Sequence, residues 1–184
     1  RRGRSAALNM VITSTGAVKA VSKALPELDG KLTGNAIRVP TPNVSLAVMS
    51  LTVDKKDLNK DDVNEFLRKT AFNSKYREIV GFVNSTEIVS SDFYSSPFAS
   101  VIDSQATIVS DNKITLYCWY DNEYGYSVQV VNLVKDIVGR PAPSRWHGEK
   151  IHRIGQGWAG RGGKGSGPAR GGGEAQFLTR SGGQ

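Results

Sequence analysis

The chain has 184 residues, 39% apolar and 22% charged, which is typical of a globular protein long enough to bury a sizeable core. One cysteine and two histidines exclude an internal disulfide and a cluster of metal ligands, and no apolar run approaches the ~20 residues that a membrane span needs. The net charge of +7 is uneven, because residues 1–139 hold 16 Lys/Arg against 15 Asp/Glu and residues 140–184 hold 8 against 2. The start of the chain shows no signal-peptide pattern, so a cytoplasmic location is expected.

The N-terminal part is predicted to contain a short strand and a helix that can bind an anion. Residues 6–12 suit a strand, and Ser14 or Thr15 is placed to cap a helix whose apolar residues recur at helical spacing. A helix that opens with Thr15 and Gly16 offers a hydroxyl and free backbone N–H groups. Arg38 lies within a following strand-like run at residues 36–39, and its guanidinium could fork onto the same anion. A well-capped helix without a ligand explains the same residues.

The middle of the chain is predicted to form a sheet covered by a second helix. Asn59 is expected to cap this helix, with a buried stripe through Val63, Phe66, Leu67, Thr70 and Ala71. Strands are predicted at 35–39, 44–53, 78–83, 87–93 and 106–109. Because strand-helix-strand units are few, the predicted fold class is α+β, with a mixed, largely antiparallel sheet and helices on one face.

The stretch from Trp119 to Ser127 is predicted to join a strand to a helix. Ile114, Leu116 and Cys118 fall on one face of an extended chain, and apolar residues recur at helical spacing after Ser127 up to Gly139. The polar residues between the two patterns suit the rim of a pocket, although an ordinary turn has the same composition. The apolar face predicts that Cys118 is an inert buried thiol.

Residues 140–184 differ in composition from the rest of the chain. They contain 13 of the 20 glycines, together with Arg, Lys, Ser and Pro, and scarcely a periodic apolar residue. Burial of so little apolar surface cannot offset the entropy of ordering the chain. The sequence therefore predicts a disordered Gly/Arg-rich tail that is dispensable for folding. The tail could be a natural extension, the product of a shifted reading frame or a cloning scar.

The nine residues Trp-Tyr-Asp-Asn-Glu-Tyr-Gly-Tyr-Ser at 119–127 resemble the signature of phosphorylating glyceraldehyde-3-phosphate dehydrogenases. The stretches 14–20 and 30–41 also match that family, in the same order. The resemblance covers residues 1–139 and corresponds to the second half of the family's chain. It implies an N-terminally truncated C-terminal catalytic domain at 1–139, with the basic tail at 140–184 outside it.

The resemblance implies an enzyme that oxidises glyceraldehyde 3-phosphate with NAD or NADP and inorganic phosphate, giving 1,3-bisphosphoglycerate in glycolysis. In the family, the residues that match Thr15, Gly16 and Arg38 contact substrate and inorganic phosphate. Arg2 matches an arginine that helps bind inorganic phosphate in many bacterial-type members.

The resemblance also assigns this chain a contact with the cofactor. The counterpart of Asn122 bonds the carboxamide of the nicotinamide, and the counterpart of Tyr126 lies beside that ring. A side-chain amide suits a carboxamide because it donates and accepts at once.

Several catalytic parts of the family are missing from the sequence. The family's nucleophile lies in a Ser-Cys-Thr-Thr-Asn motif that does not occur here, and its base histidine precedes the matching segment. His147 and His152 lie in the tail, and no Gly-x-Gly-x-x-Gly follows a strand. The chain is therefore predicted to hold no catalytic residue, to be inactive alone, and to need the nucleotide-binding half; the intact family forms homotetramers.

The alternative function is a non-catalytic module whose basic Gly/Arg tail binds nucleic acid through phosphate attraction. The tail has scattered arginines and no regular Arg-Gly-Gly repeat, so nucleic acid is the weaker hypothesis.

Overall fold

The computed structural model describes residues 7–139 and the backbone of residues 174–180. The helices are α1 (Ala17–Ala24), α2 (Lys60–Asn73) and α3 (Tyr124–Ile137), with short 3-10 turns at Pro26–Leu28 and Ser90–Phe93. The strands are β1 (Val11–Thr13), β2 (Leu32–Arg38), β3 (Ser45–Thr52), β4 (Val80–Val83), β5 (Ser100–Asp103), β6 (Ile108–Ser110), β7 (Lys113–Tyr120) and β8 (Glu174–Arg180). No described helix is both long enough and apolar enough to cross a membrane.

The strands form one mixed sheet in the order β1-β2-β8-β3-β7-β5-β4, with β6 paired to β7. Five of the strand pairs are antiparallel, and two, β3 with β8 and β4 with β5, are parallel. The predicted α+β class with a largely antiparallel sheet is confirmed.

Strand β7 separates two apolar clusters because successive side chains point to opposite faces. On one face, Cys118 lies with Leu116 and Ile114 against Val63 of α2. On the other face, the ring of Trp119 stacks on Phe93 with centroids 5.4 Å apart. The two clusters hold β7 in place, so the residues that follow it begin from a fixed position.

Helix α2 begins as predicted, since Asn59 Oδ1 accepts a hydrogen bond from the backbone N–H of Asp62 at 2.8 Å. The predicted stripe is only partly correct. Val63 and Ala71 are buried and Leu67 packs on the core, but Phe66 is 69% exposed. Positions spaced by four residues face the sheet, and Phe66 lies to one side of that line.

In this region one predicted strand is absent from the structure, and one strand of the structure was not predicted. Residues 87–93, predicted as a strand, end in the 3-10 turn Ser90–Phe93, where Asp92 Oδ2 accepts the backbone N–H of Val89 at 2.8 Å. This local bond competes with pairing to another strand. Strand β5, which was not predicted, has three buried residues in a row and so lacks the alternation that marks a half-buried strand.

Most of the predicted disordered tail lies outside the described residues. Seven of its residues, Glu174–Arg180, form β8, which pairs with β2 on one side and β3 on the other. Composition could not predict this strand because its pairing partners are more than 120 positions away in the sequence.

Candidate functional site

The candidate site is built around the turn that joins β7 to α3. Asp121 follows the last residue of β7 and is 3% exposed. Its Oδ1 accepts the backbone N–H groups of Glu123 at 3.0 Å and Tyr124 at 2.9 Å. These are among the first N–H groups of α3, which have no partner inside the helix. Asp121 therefore fixes the start of α3 relative to the end of β7.

The second carboxylate oxygen of Asp121 ties the turn to two other loops. Oδ2 accepts the backbone N–H of Ser95 at 2.9 Å and the side-chain amide of Asn43 at 3.1 Å. A buried carboxylate is costly unless it is hydrogen-bonded, and here four donors meet that need. The predicted strand-to-helix junction is confirmed, and Asp121 holds it together.

The segment just before β3 completes the junction. Val44 has a φ of 71°, in the left-handed region that a β-branched residue rarely adopts, and it is 3% exposed. Its neighbours on both sides contact the turn, since Asn43 bonds Asp121 and the Ser45 hydroxyl accepts from Asn122 Nδ2 at 2.8 Å. Backbone strain of this kind persists only when the surroundings enforce it, and it occurs often at binding sites.

Asn122 and Tyr126 present free polar and aromatic surface at this junction. The bond to Ser45 uses one amide hydrogen of Asn122, and its side chain is otherwise exposed. Tyr126, in the first turn of α3, is 70% exposed. The junction therefore presents an amide whose orientation is fixed by Ser45 and an aromatic ring that is exposed to solvent.

The predicted cap of α1 is shifted by one residue, because Gly16 and not Ser14 or Thr15 occupies the N-cap position, which makes no side-chain cap hydrogen bond. Thr15 Oγ1 accepts the backbone N–H of Ala17 at 3.1 Å, and Gly16 occupies the N-cap position with φ −83° and ψ −7°. A Cβ built on Gly16 would meet nothing within 4 Å, so the space above this helix end is open. A separate open depression of about 440 Å³ lies farther along α1, lined by Val18, Lys19, Ser22, Lys23, Pro26, Asp29 and Gly30.

Arg38 lies at the same end of the sheet as Ser45 and Asn122. The register pairs Arg38 with Glu174 across β2 and β8, and Ala175 with Leu46 across β8 and β3. Arg38 is therefore level with the first residue of β3, two strand spacings away, which is about 10 Å. The structure thus places Arg38, predicted to bind phosphate, and Asn122, predicted to contact the cofactor, at the same end of the sheet.

Thr15 lies farther from Arg38 along the sheet. Arg38 pairs with Val11 at the start of β1, and Thr15 follows the other end of that strand. Four residues of extended chain span about 13 Å. A shared anion would therefore have to lie between the two positions.

Cys118 is a buried thiol, as its strand face predicts. It is 3% exposed within the apolar cluster that includes Leu116 and Ile114. Burial raises the pKa of the Cys118 thiol to about 11, a hydrogen bond with Ser100 opposes this shift, and the charge of Asp103 adds to it. A neutral thiol is a poor nucleophile, so Cys118 is unsuited to covalent catalysis.

The remaining predictions fall outside the described part of the chain. Arg2 belongs to residues 1–6, and most of the tail assigned to the nucleic-acid alternative is likewise undescribed. The sequence did not predict the roles of Asn43 and Ser45 or the long-range bonds of Asp121. An Asp three residues before the first helical residue is a recognisable capping signal, but the bond from Asn43 to Asp121 joins positions 78 apart.

The family described as glyceraldehyde 3-phosphate dehydrogenase, C-terminal domain, matches residues 1–122. That range includes β7, Asp121 and Asn122. The chain belongs to this family. Residues 123–184, including α3 and β8, lie beyond the matched range.

Curated relatives extend the similarity. A glyceraldehyde-3-phosphate dehydrogenase-like protein of Pseudomonas aeruginosa is 55% identical over 144 residues, which is 78% of this chain and 31% of the relative. Glyceraldehyde-3-phosphate dehydrogenase B, chloroplastic, of Pisum sativum is 47% identical over 141 residues, 76% of this chain and 31% of the relative. The glyceraldehyde-3-phosphate dehydrogenase of Borreliella burgdorferi is 42% identical over 139 residues, 75% of this chain and 41% of the relative.

The chain thus spans about a third of the first two of these relatives and two fifths of the third. It is a dehydrogenase C-terminal domain rather than the whole length of such an enzyme. Because chloroplastic proteins are among the relatives, family membership does not determine the compartment, and the cytoplasmic location stays a prediction.

Proposed function

We propose that this domain supplies the phosphate sites and one nicotinamide contact of an NAD- or NADP-dependent enzyme. That enzyme oxidises glyceraldehyde 3-phosphate with inorganic phosphate to 1,3-bisphosphoglycerate. The observation that carries the proposal is that Arg38 is level with Ser45, about 10 Å away across β8, and that Ser45 bonds Asn122 at the same end of the sheet. A cation for a phosphate and an amide for a carboxamide then face the same region.

The chemistry of the phosphate sites follows from the groups present. The guanidinium of Arg38 is planar and can form two parallel hydrogen bonds to phosphate oxygens. At the other position, the start of α1 adds the positive end of a helix dipole and open space above Gly16. Arg2 is proposed to add a further cation for inorganic phosphate.

The residues at the junction fit a nicotinamide. Ser45 holds one hydrogen of the Asn122 amide, which fixes its plane and leaves the second hydrogen and the carbonyl oxygen for a carboxamide. The exposed ring of Tyr126 offers a flat apolar surface beside it. When bound, the nicotinamide supplies the hydride acceptor, while Asn122 and Tyr126 orient its ring.

We expect that this chain does not turn over substrate alone. Oxidation of an aldehyde to an acyl phosphate needs a thiolate nucleophile and a base, and Cys118 is buried with a raised pKa. Orientation by phosphate sites accelerates only a reaction whose nucleophile is present. We therefore assign the nucleophile, the base and the dinucleotide fold to a separate nucleotide-binding half.

The exposed apolar residues of helix α3 suggest that another protein surface covers this helix in the enzyme. Only Gly125 of this helix is buried, and its large apolar residues are exposed, namely Tyr124, Tyr126, Val130, Val131, Leu133, Val134 and Ile137. An apolar helix face of this size usually marks an interaction site. The nucleotide-binding half and the homotetramer of the intact family are the proposed sources of that cover.

A phosphate titration followed by NMR tests the site in the full chain. Arg38→Ala should weaken phosphate binding by roughly 1.5–3 kcal/mol, the scale of a charge-assisted hydrogen bond. The matched control is Arg77→Ala, which removes the same charge from an exposed position beside Glu78. Arg38→Lys should fall between the wild type and Arg38→Ala because the charge stays and the fork is lost.

Two results of this titration would contradict the proposed role of Arg38. Equal affinity in Arg38→Ala and Arg77→Ala would remove Arg38 from the site. Shifts confined to amides of α1 in every variant would place the anion at the helix start alone.

A further inference from the structure

Strands β2 and β3 are separated by a gap that is one strand wide. All seven residues of β2 pair with β8, and residues 46–50 of β3 pair with β8 from the other side. The six residues 39–44 connect the end of β2 to the start of β3, so they pass the end of β8. If β8 left, both strands would expose a row of unpaired backbone N–H and C=O groups toward each other.

The walls of this gap lie in the part of the chain that matches the family, and the strand that fills the gap does not. Both β2 and β3 lie inside residues 1–122, which match the family's C-terminal domain, whereas β8 begins at residue 174. The described part of the body ends at Gly139, so residues 140–173 separate it from β8. The gap therefore belongs to the domain, and the strand that fills it comes from outside the matched region.

We propose that the gap between β2 and β3 is a strand-acceptor slot, and that residues 174–180 bind in it as a separable extended peptide. Recognition is through the backbone: β8 runs antiparallel to β2 and parallel to β3. Addition of a strand to open sheet edges is a common mode of peptide binding, with affinity from main-chain hydrogen bonds. Here the slot has two open edges, so the peptide is bonded on both sides.

Occupation of the slot couples the two halves of the candidate site. Strand β2 carries Arg38 and β3 carries Ser45, the residue that bonds Asn122. Besides β8, the sheet partner of β2 is β1, and that of β3 is β7. Strand β8 is thus the sheet element that hydrogen-bonds to both, and it sets the spacing between Arg38 and Asn122. This coupling holds whether or not the domain binds phosphate.

Cleavage of the connection tests separability. A recognition sequence for a specific protease is placed within residues 150–165 of the full chain, which is cut after folding. The fragment that contains residues 174–180 should co-elute with the body in size-exclusion chromatography. An excess of free peptide 174–180 should displace it, and the same peptide with alternate backbone nitrogens methylated should not, because the donors for one edge are lost.

Hydrogen exchange of the uncut chain gives a second measurement. Phe177→Pro removes a backbone donor from the middle of β8, and a proline is excluded from the interior of a sheet. Amides of β2 and β3 that point to β8 should exchange at least tenfold faster, while amides of β3 that point to β7 serve as internal controls. Gly165→Pro, outside β8, is the matched substitution and should change neither set.

Either measurement alone can contradict the proposal. A fragment that separates from the body immediately after cleavage contradicts binding as a docked peptide. Unchanged exchange of β2 and β3 in Phe177→Pro contradicts occupation of the slot by this strand. Neither result depends on phosphate binding, so failure of the slot is distinguishable from failure of the proposed function.

Discussion

A Cβ built on Gly125 would lie 2.7 Å from the backbone carbonyl oxygen of Phe98. Helix α3 can therefore approach the loop before β5 only because residue 125 has no side chain. Gly125→Ala should destabilise the fold by about 1–3 kcal/mol, the usual cost of overpacking, because the atom in the way is backbone. Urea unfolding followed by circular dichroism measures the change.

Gly16→Ala is the control for this substitution. Its Cβ would have open space, and its φ of −83° is allowed for alanine, so only the weaker N-cap propensity of alanine enters, at under about 1 kcal/mol. Equal losses in the two variants would show that the close contact with Phe98 does not control the position of α3.

Asp121 is predicted to be the most sensitive side chain of the junction. Asp121→Ala leaves the backbone N–H groups of Ser95, Glu123 and Tyr124 without their acceptor. These bonds are partly buried, and each contributes about 1 kcal/mol, so a total loss of roughly 3 kcal/mol is expected in thermal or urea unfolding. Asp136→Ala, an exposed change near the end of α3, should stay within about 0.5 kcal/mol. A loss as small as that of Asp136→Ala would contradict the role of Asp121.

The buried thiol predicts a specific loss of stability at high pH. The pKa of Cys118 is raised from 9.0 to about 11 in the folded chain. The unfolded chain therefore loses its thiol proton first, so the contribution of Cys118 is complete below about pH 9 and is lost as pH rises toward 11. By pH 10.5 the loss should approach about 2 kcal/mol.

Comparison with Cys118→Ala isolates this effect, because lysines and tyrosines titrate in both proteins. The difference in unfolding free energy between the wild type and Cys118→Ala should shrink between pH 8 and pH 10.5. A difference that stays constant over this range would contradict a raised pKa.

The sequence predicted those parts of the fold that depend on local patterns. Alternation from Ile114 to Cys118 and helical spacing after Ser127 define β7 and α3, and Asn59 marks the start of α2. The strand predicted at 87–93 failed because Asp92 bonds the backbone three residues earlier and closes a turn. Phe66 was misplaced because an apolar residue beside the inward line of a helix looks like part of the stripe.

The sequence identified residues of the candidate site but not how they are arranged relative to one another. The motif at 119–127 identified Asn122, yet its bond to Ser45 spans 77 positions and depends on the register of β3 with β7. The spacing of Arg38 from Asn122 depends on β8, which composition assigned to a disordered tail. Long-range register is decided by tertiary packing, which single-sequence patterns do not contain.

An assay of the purified chain tests whether this domain completes the active site of a separate nucleotide-binding half. The chain is assayed first alone and then with a separately expressed nucleotide-binding half that carries the cysteine and the histidine. Substrate, inorganic phosphate and NAD or NADP are present throughout, and reduced cofactor is followed by absorbance. We expect no turnover by the chain alone and activity on mixing, lowered by Asn122→Ala. Steady turnover by the chain alone that is abolished by Cys118→Ser would contradict this expectation.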